Sequence, residues 1–362
     1  MHGLIVYCAP PVARYTGPAH REGVPPWTAG PTTANPPPGA SGAIIINQGN
    51  TEERRGLING TLTRDYAGGI PVVEATTSLG EEWALSLIPG LVMRLHANVF
   101  RGDVTAHSVL AESRDGADDN VVMAGAGLDS VDDGPGINDN GSGVAALLEV
   151  ARQMAHVKPR NKVRFAFWAA RQAGLIGSDE YVFGLPDEER AAIALYLNFD
   201  MIGSPNFAYF VYDGDGSAFG LAGPAGSGAI ESFFQGFYED RGLPYEETTI
   251  AFRSDYAAFF DVGIPFGGLF TGAEGVKTPA QAALFGGVAG LPFDPCWGLA
   301  CDTFANVSHE ALDVNSDAVA AAVLHHAMTT EAVNGQRGKG NFGSAGGPPA
   351  GAGPFRTSAP VR

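Results

Sequence analysis

From about residue 120 onward, short apolar runs alternate with segments of helical spacing, and this alternation constrains the fold more than any other feature of the chain. Val121-Val-Met-Ala-Gly-Ala126 is apolar throughout, as a strand buried on both faces must be. Residues 142–156 carry apolar side chains on one face, with Gly141 and Gly143 at the mouth, and read as a helix. Strands are then expected at 162–168, 194–199, 208–212 and 266–270, and helices at 178–184, 229–241, 255–261 and 313–332. Such a series calls for an α/β fold, a three-layer sandwich around a mixed, largely parallel central sheet. Functional groups in that architecture sit in loops at the carboxyl ends of the strands.

The text before residue 120 is less regular. Ala43-Ile-Ile-Ile-Asn47 reads as a buried strand, and residues 65–74 as a loop followed by another. Residues 79–87 have helical spacing, with Glu81 and Glu82 near the start. Residues 92–100 and 108–112 alternate like a pair of strands. Residues 10–40 hold nine prolines and no hydrophobic periodicity, too little apolar area to offset the entropy of ordering them. Residues 1–42 and the Gly/Pro/Ser-rich 335–362 are therefore expected to be disordered.

Charge and composition exclude several classes. The 22 Lys and Arg against 39 Asp and Glu leave a net charge of −17, which argues against a nucleic-acid partner. No apolar run approaches the roughly 18 residues of a membrane span. The apolar stretch Met1–Ala9 has no Lys or Arg and ends at Pro10-Pro11. As written it does not read as an export signal, which implies a cytoplasmic protein unless the start is misplaced. Cys8 stands alone, while Cys296 and Cys301 are five apart. That spacing does not suit a zinc pair, and a small-loop disulfide is the better reading, with two free thiols as the alternative.

The loop text is the most specific. Gly125-Ala-Gly-Leu-Asp-Ser130 is followed by Gly134-Pro-Gly-Ile-Asn-Asp-Asn-Gly-Ser-Gly143 and by residues 164–178 around Ala170-Arg-Gln-Ala173. Then come Tyr196-Leu-Asn-Phe-Asp-Met-Ile-Gly203, Phe252-Arg-Ser-Asp-Tyr256 and Asp294-Pro-Cys-Trp-Gly-Leu-Ala-Cys-Asp302. In order and spacing, over residues 105–332, the series resembles the secreted bacterial di-zinc aminopeptidases of the leucine aminopeptidase and aminopeptidase Y type. Residues 43–91 resemble the second half of the protease-associated domain often inserted in that family. Residues 92–334 would then form the catalytic-fold domain. The Pro-rich stretch stands where the first half of the insert is expected, and reads as a frame-shifted or mis-started segment rather than a linker.

The resemblance implies two zinc ions that polarise a peptide carbonyl and activate a bridging water. It also implies five ligand positions and a general base, and this chain departs from most of them. The first His position is Gly127, and the general-base Glu and adjacent ligand Glu are Arg171 and Gln172. The second His is Gly298, preceded by Trp297 where the family usually has an oxyanion-holding Tyr. Asp139, the metal-bridging position, and Asp200 are retained. Asp129 stands where the family orients the missing His from behind, or else simply caps its loop. Asp313 and Asp317 look like calcium-binding positions of some relatives, against a plain charged helix turn.

None of the eight histidines, His2, His20, His96, His107, His156, His309, His325 and His326, falls inside these loops, and the 325–326 pair reads as solvated or capping. The expected protein is thus a metal-deficient, inactive homologue of zinc aminopeptidases, binding no zinc or binding it weakly. Arg171 is expected to pair with Asp139 or Asp200, and the lost imidazoles to leave extra volume in the cleft. The alternatives are an active enzyme with unusual metal binding, a non-catalytic binder of peptide N-termini, and a decayed gene product. A serine hydrolase using Ser130, Ser142 or Ser254 lacks a nearby base.

Overall fold

The computed structural model describes residues 105–335 continuously and, before them, three strands and the isolated residues Ser78, Leu79, Glu82 and Arg94. The chain divides into two compact units, residues 1–104 and 105–362.

In the first unit, β1 (Ile5–Ala9), β2 (Ala43–Asn47) and β3 (Val72–Ala75) form a parallel sheet in the order β1-β2-β3. Strands at 43–47 and near 74 match the sequence expectation. The strand at 5–9 does not, since that stretch was expected to be disordered. Its Ile-Val-Tyr-Cys-Ala text is β-favouring, and parallel pairing with the Ile-rich β2 needs no tight turn between them. Residues 10–42 and 336–362 lie outside the described residues. So does most of the expected helix at 79–87, of which Leu79 and Glu82 are helical, as is Ser78 just before it. Of the expected strand at 92–100 only Arg94 is described, and it belongs to no regular element.

The second unit is built on a seven-stranded sheet. In chain order its strands are β4 (Val109–Glu112), β5 (Ala117–Gly127), β6 (Asn161–Trp168), β7 (Ile193–Phe199), β8 (Phe210–Tyr212), β9 (Glu246–Thr248) and β10 (Phe266–Phe270). Their spatial order is β4-β6-β5-β7-β10-β8-β9. The central β6, β5, β7 and β10 run parallel, and β4 and β8 join antiparallel to β6 and β10. β9 closes the far edge parallel to β8.

The helices that cover the sheet are α1 (Gly141–Met154), α2 (Ile176–Gly184), α4 (Ser227–Glu239), α5 (Tyr256–Asp261) and α7 (His309–Met328). α1, α4 and α7 cover one face of the sheet through Leu147, Phe234 and Val319, all fully buried. α2 and α5 cover the other, around Trp168, Tyr196 and Phe259. There the Tyr196 and Phe259 rings stack at 3.8 Å, and Trp168 Nε1 donates to Tyr196 Oη at 2.9 Å. The buried indole is thereby satisfied within an apolar layer. These three layers are the sandwich expected from the alternation.

α7 starts at His309, four residues before expectation, because the Ser308 hydroxyl accepts from Ala311 N and caps it. It stops at Met328, where Thr329 is extended, and α8 (Glu331–Asn334) follows separately. α3 (Asp187–Ala191), α6 (Pro279–Phe285) and β9 had no apolar periodicity to reveal them. α3 and α6 bury no residue, and α6 is set by a capping box in which Thr278 and Gln281 bond reciprocally.

β5 lies between β6 and β7. The chain leaves it first to one side and later returns to the other, so the carboxyl ends of β5 and β7 flank a topological switch point.

Candidate functional site: a neutralised acidic cleft

The loop after β5 is held by polar residues of its own text. Asn140 caps α1 by accepting from Gly143 N at 3.2 Å, accepts from Met201 N at 3.0 Å, and donates to Phe199 O at 2.9 Å. Asp302 receives the backbone N–H groups of Asn138 and Asp139 at 2.9 and 3.0 Å. Asn138 donates to Asp294 at 2.6 Å and to Ser204 at 3.1 Å. This clamp fixes Asp139 beside the end of β7, where Asp200 follows the last strand residue.

Both acids are buried, and the buried guanidinium of Arg171 lies between them. Arg171 Nη1 donates to Asp139 Oδ1 at 2.9 Å, and Nη2 donates to Asp200 Oδ2. Asp139 Oδ2 accepts from Trp297 Nε1 at 2.8 Å and from Gln172 Nε2 at 3.2 Å. Ser254 Oγ donates to the engaged oxygen of Asp200 at 2.7 Å. Asp200 Oδ1 and Arg171 Nε are buried without a partner. Behind Arg171, both oxygens of Asp129 accept backbone N–H groups, from Arg171 at 2.8 Å and Gln172 at 3.0 Å. Asp129 thus holds the arginine loop.

The electrostatics follow from burial. Desolvation raises the Asp139 carboxyl above its ordinary value, Arg171 opposes this, and Asp200 adds to it. Desolvation also works against the Arg171 charge, but Asp200 and Asp139 outweigh it and Arg171 stands above its ordinary value. Asp255, buried and accepting from Ser178 Oγ at 2.6 Å, is pushed up to about 7 by desolvation, with Arg171 pulling the other way.

Of the sequence-derived site residues, Asp129, Asp139, Arg171, Gln172, Asp200 and Trp297 therefore converge, with Gly127 beside them. Gly127 lies under Arg171: a Cβ there would sit 2.2 Å from Arg171 Cδ. The expected extra volume at this position is occupied by the arginine stem. At Gly298 a Cβ would meet nothing within 4 Å, and the residue's φ of +70° suits glycine. Cys296 and Cys301 form a disulfide with Cα atoms 5.3 Å apart. Asp313 and Asp317 are exposed on α7, beyond its first turn, and belong to no metal-sized group of three among the described residues.

The described histidines also stay out of the cleft. His107, His156 and His325 are exposed. His326 is buried against Phe233, and burial, then His325, lowers its pKa to about 3, so it is neither solvated nor capping. Sequence reasoning assigned no role to Ser178, Asp255, Asp294 or Asp302. All four stood in the quoted loop motifs, the available signal.

The α/β sandwich with buried acids at its switch point has the fold of solved aminopeptidases. The pattern of peptidase family M28 matches residues 108–323, and the chain belongs to that family. The aminopeptidase of Pseudomonas aeruginosa strain UCBPP-PA14 is 54% identical over 296 residues, covering 82% of this chain and 55% of that protein. Leucine aminopeptidase 2 of Trichophyton rubrum is 44% identical over 291 residues, covering 80% and 58%. This chain spans little more than half the length of these relatives. The aminopeptidase from Aneurinibacillus sp. strain AM-1 superposes with a TM-score of 0.61 at 28% identity, covering 79% of this chain and 63% of that one. The zinc aminopeptidase BSAP from Bacillus subtilis shares the fold, with a TM-score of 0.56 at 22% identity over 85% and 68%. No helix among the described residues is long and apolar enough to cross a membrane.

Proposed function

We propose that this chain is a metal-deficient member of the aminopeptidase family that does not hydrolyse peptides. The observation that carries the reading is the Arg171 guanidinium donating to both Asp139 and Asp200 in a buried cleft. Zinc at a dinuclear centre needs imidazole or carboxylate donors and an open position for water. Here the two His positions are Gly127 and Gly298, and the adjacent Glu positions are a cation and an amide. The residues present do not fit a pair of zinc ions. Any ion would have to displace a fixed positive charge, and no general base stands in the cleft.

The partner class is a peptide N-terminus, and its ammonium would compete with Arg171 for the same acids. Asp200 Oδ1 is the acceptor left over. The test combines metal analysis after incubation with zinc and turnover of a leucine anilide. At most trace zinc and no turnover are expected, and stoichiometric zinc with turnover would overturn the reading. A variant carrying Gly127→His, Arg171→Glu, Gln172→Glu and Gly298→His should gain zinc if the substituted positions are the missing ligands.

A further inference from the structure

The far edge of the sheet holds a second acidic group that the cleft does not involve. Asp213 follows the last residue of β8, Glu247 is the middle residue of β9, and Glu231 lies one turn into α4. One carboxylate oxygen from each comes within 4.8 Å of the other two. Asp213 is fully buried and Glu231 nearly so, while Glu247 is half-buried and leaves a path to solvent.

Most of the surrounding donors are already assigned. Asp213 Oδ2 accepts from Phe219 N at 2.8 Å. Glu231 Oε2 accepts from Gly214 N at 2.9 Å and Asp215 N at 3.0 Å. The Gln235 amide donates to Glu231 Oε1 at 2.9 Å and to Glu247 Oε1 at 3.0 Å. Asp213 Oδ1 is left buried with no partner at all. Burial raises the Glu231 carboxyl to about 7, and the charges acting on it, Asp215 and Glu247, are both acidic. Three acids from three elements thus face each other, and none of the ion pairs of the described residues brings them a cation.

We propose that Asp213, Glu231 and Glu247 form a binding site for one divalent cation of the calcium type. The donor set is oxygen only, which selects hard cations over zinc or copper. Calcium accepts irregular geometry and mixed one- and two-oxygen carboxylates, whereas magnesium demands a near-ideal octahedron. Asp213 and Glu231 are held by backbone N–H groups and cannot contract around a smaller ion. The orphaned Asp213 Oδ1 supplies an oxygen that nothing else uses. The ion would tie the three-residue edge strand β9 to α4 and β8, so its effect is on stability of the sheet edge. The proposal does not depend on the state of the cleft.

The test uses the full chain after chelation and dialysis, titrated with calcium by calorimetry and with terbium by luminescence, alongside thermal unfolding. One calcium per chain is expected, with a Tm rise of roughly 5–10 °C at a hundredfold excess over Kd. Glu247→Gln, at the solvent side, should weaken binding at least tenfold, and Asp213→Asn should abolish it. The double variant Asp313→Asn with Asp317→Asn should bind like the parent. Absence of calcium and terbium binding, or binding indifferent to Glu247→Gln, overturns the proposal. Tighter binding of magnesium than of calcium overturns the choice of ion. A Tm that rises on acidification but ignores calcium shows that the cluster holds a shared proton instead, and also overturns it.

Discussion

The cleft and the sheet edge each bury acids, and they differ in where the balancing charge comes from. In the cleft, Asp139 and Asp200 meet a guanidinium built into the chain. At the edge, Asp213, Glu231 and Glu247 meet only amides and each other. Burying a charge is costly unless it is paired. On the proposed reading, the covalently supplied cation makes the first region indifferent to the ions in solution. The second has no such insurance, and its stability must follow proton or cation concentration.

The largest expected effect is on the cleft. Arg171→Ala should lower unfolding free energy by about 3–5 kcal/mol in urea titrations, because two buried acids are left unpaired. A loss below about 0.5 kcal/mol would erase the contrast between the two regions. Adding Asp139→Asn and Asp200→Asn to the same variant should recover much of that loss.

His326 tests a third arrangement, a buried titratable group held neutral. Its folded pKa of about 3 lies below the unfolded value near 6.5. Between those values the unfolded chain binds the extra proton, so the contribution is complete above pH 6.5 and falls away toward pH 3. The loss should be about 1.4 kcal/mol per pH unit in that window. Stability measured from pH 7 to 5 should lose this slope in His326→Leu, and an unchanged slope would mean that other groups carry it.

Gly127→His should cost about 1–3 kcal/mol by overpacking against the Arg171 stem. The cost should shrink when Arg171 is also replaced by Glu, and a double-mutant cycle measures the coupling. Additive effects would mean that the stem moves freely. The smallest effect is Trp297→Phe, which removes one N–H donor from Asp139 and should cost about 1 kcal/mol.

Much of this was legible from sequence for an identifiable reason. β5, β6, β7 and β10 are apolar enough to announce themselves, and the loops that follow them carry dense motifs. β9 is Glu-Glu-Thr, an edge strand without apolar alternation, so the acids it brings beside Glu231 were invisible. His326 follows His325 in a helix, and only packing decides which ring is buried. The residues proposed to stand at ligand positions could be read one at a time. What the sequence could not reveal was that the side chain at 171 fills the space beside Gly127, because that contact is made between the ends of neighbouring strands.

That same contact gives the cleft a direction in time. A histidine at 127 must overpack against the arginine stem while both terminal nitrogens are engaged, and an isolated glutamate at 171 would stand among unneutralised acids. Each first step back toward a metal centre is therefore unfavourable alone. On the proposed reading the two positions act as a ratchet, and single-step selection for metal binding should stall where a simultaneous change at both would pass.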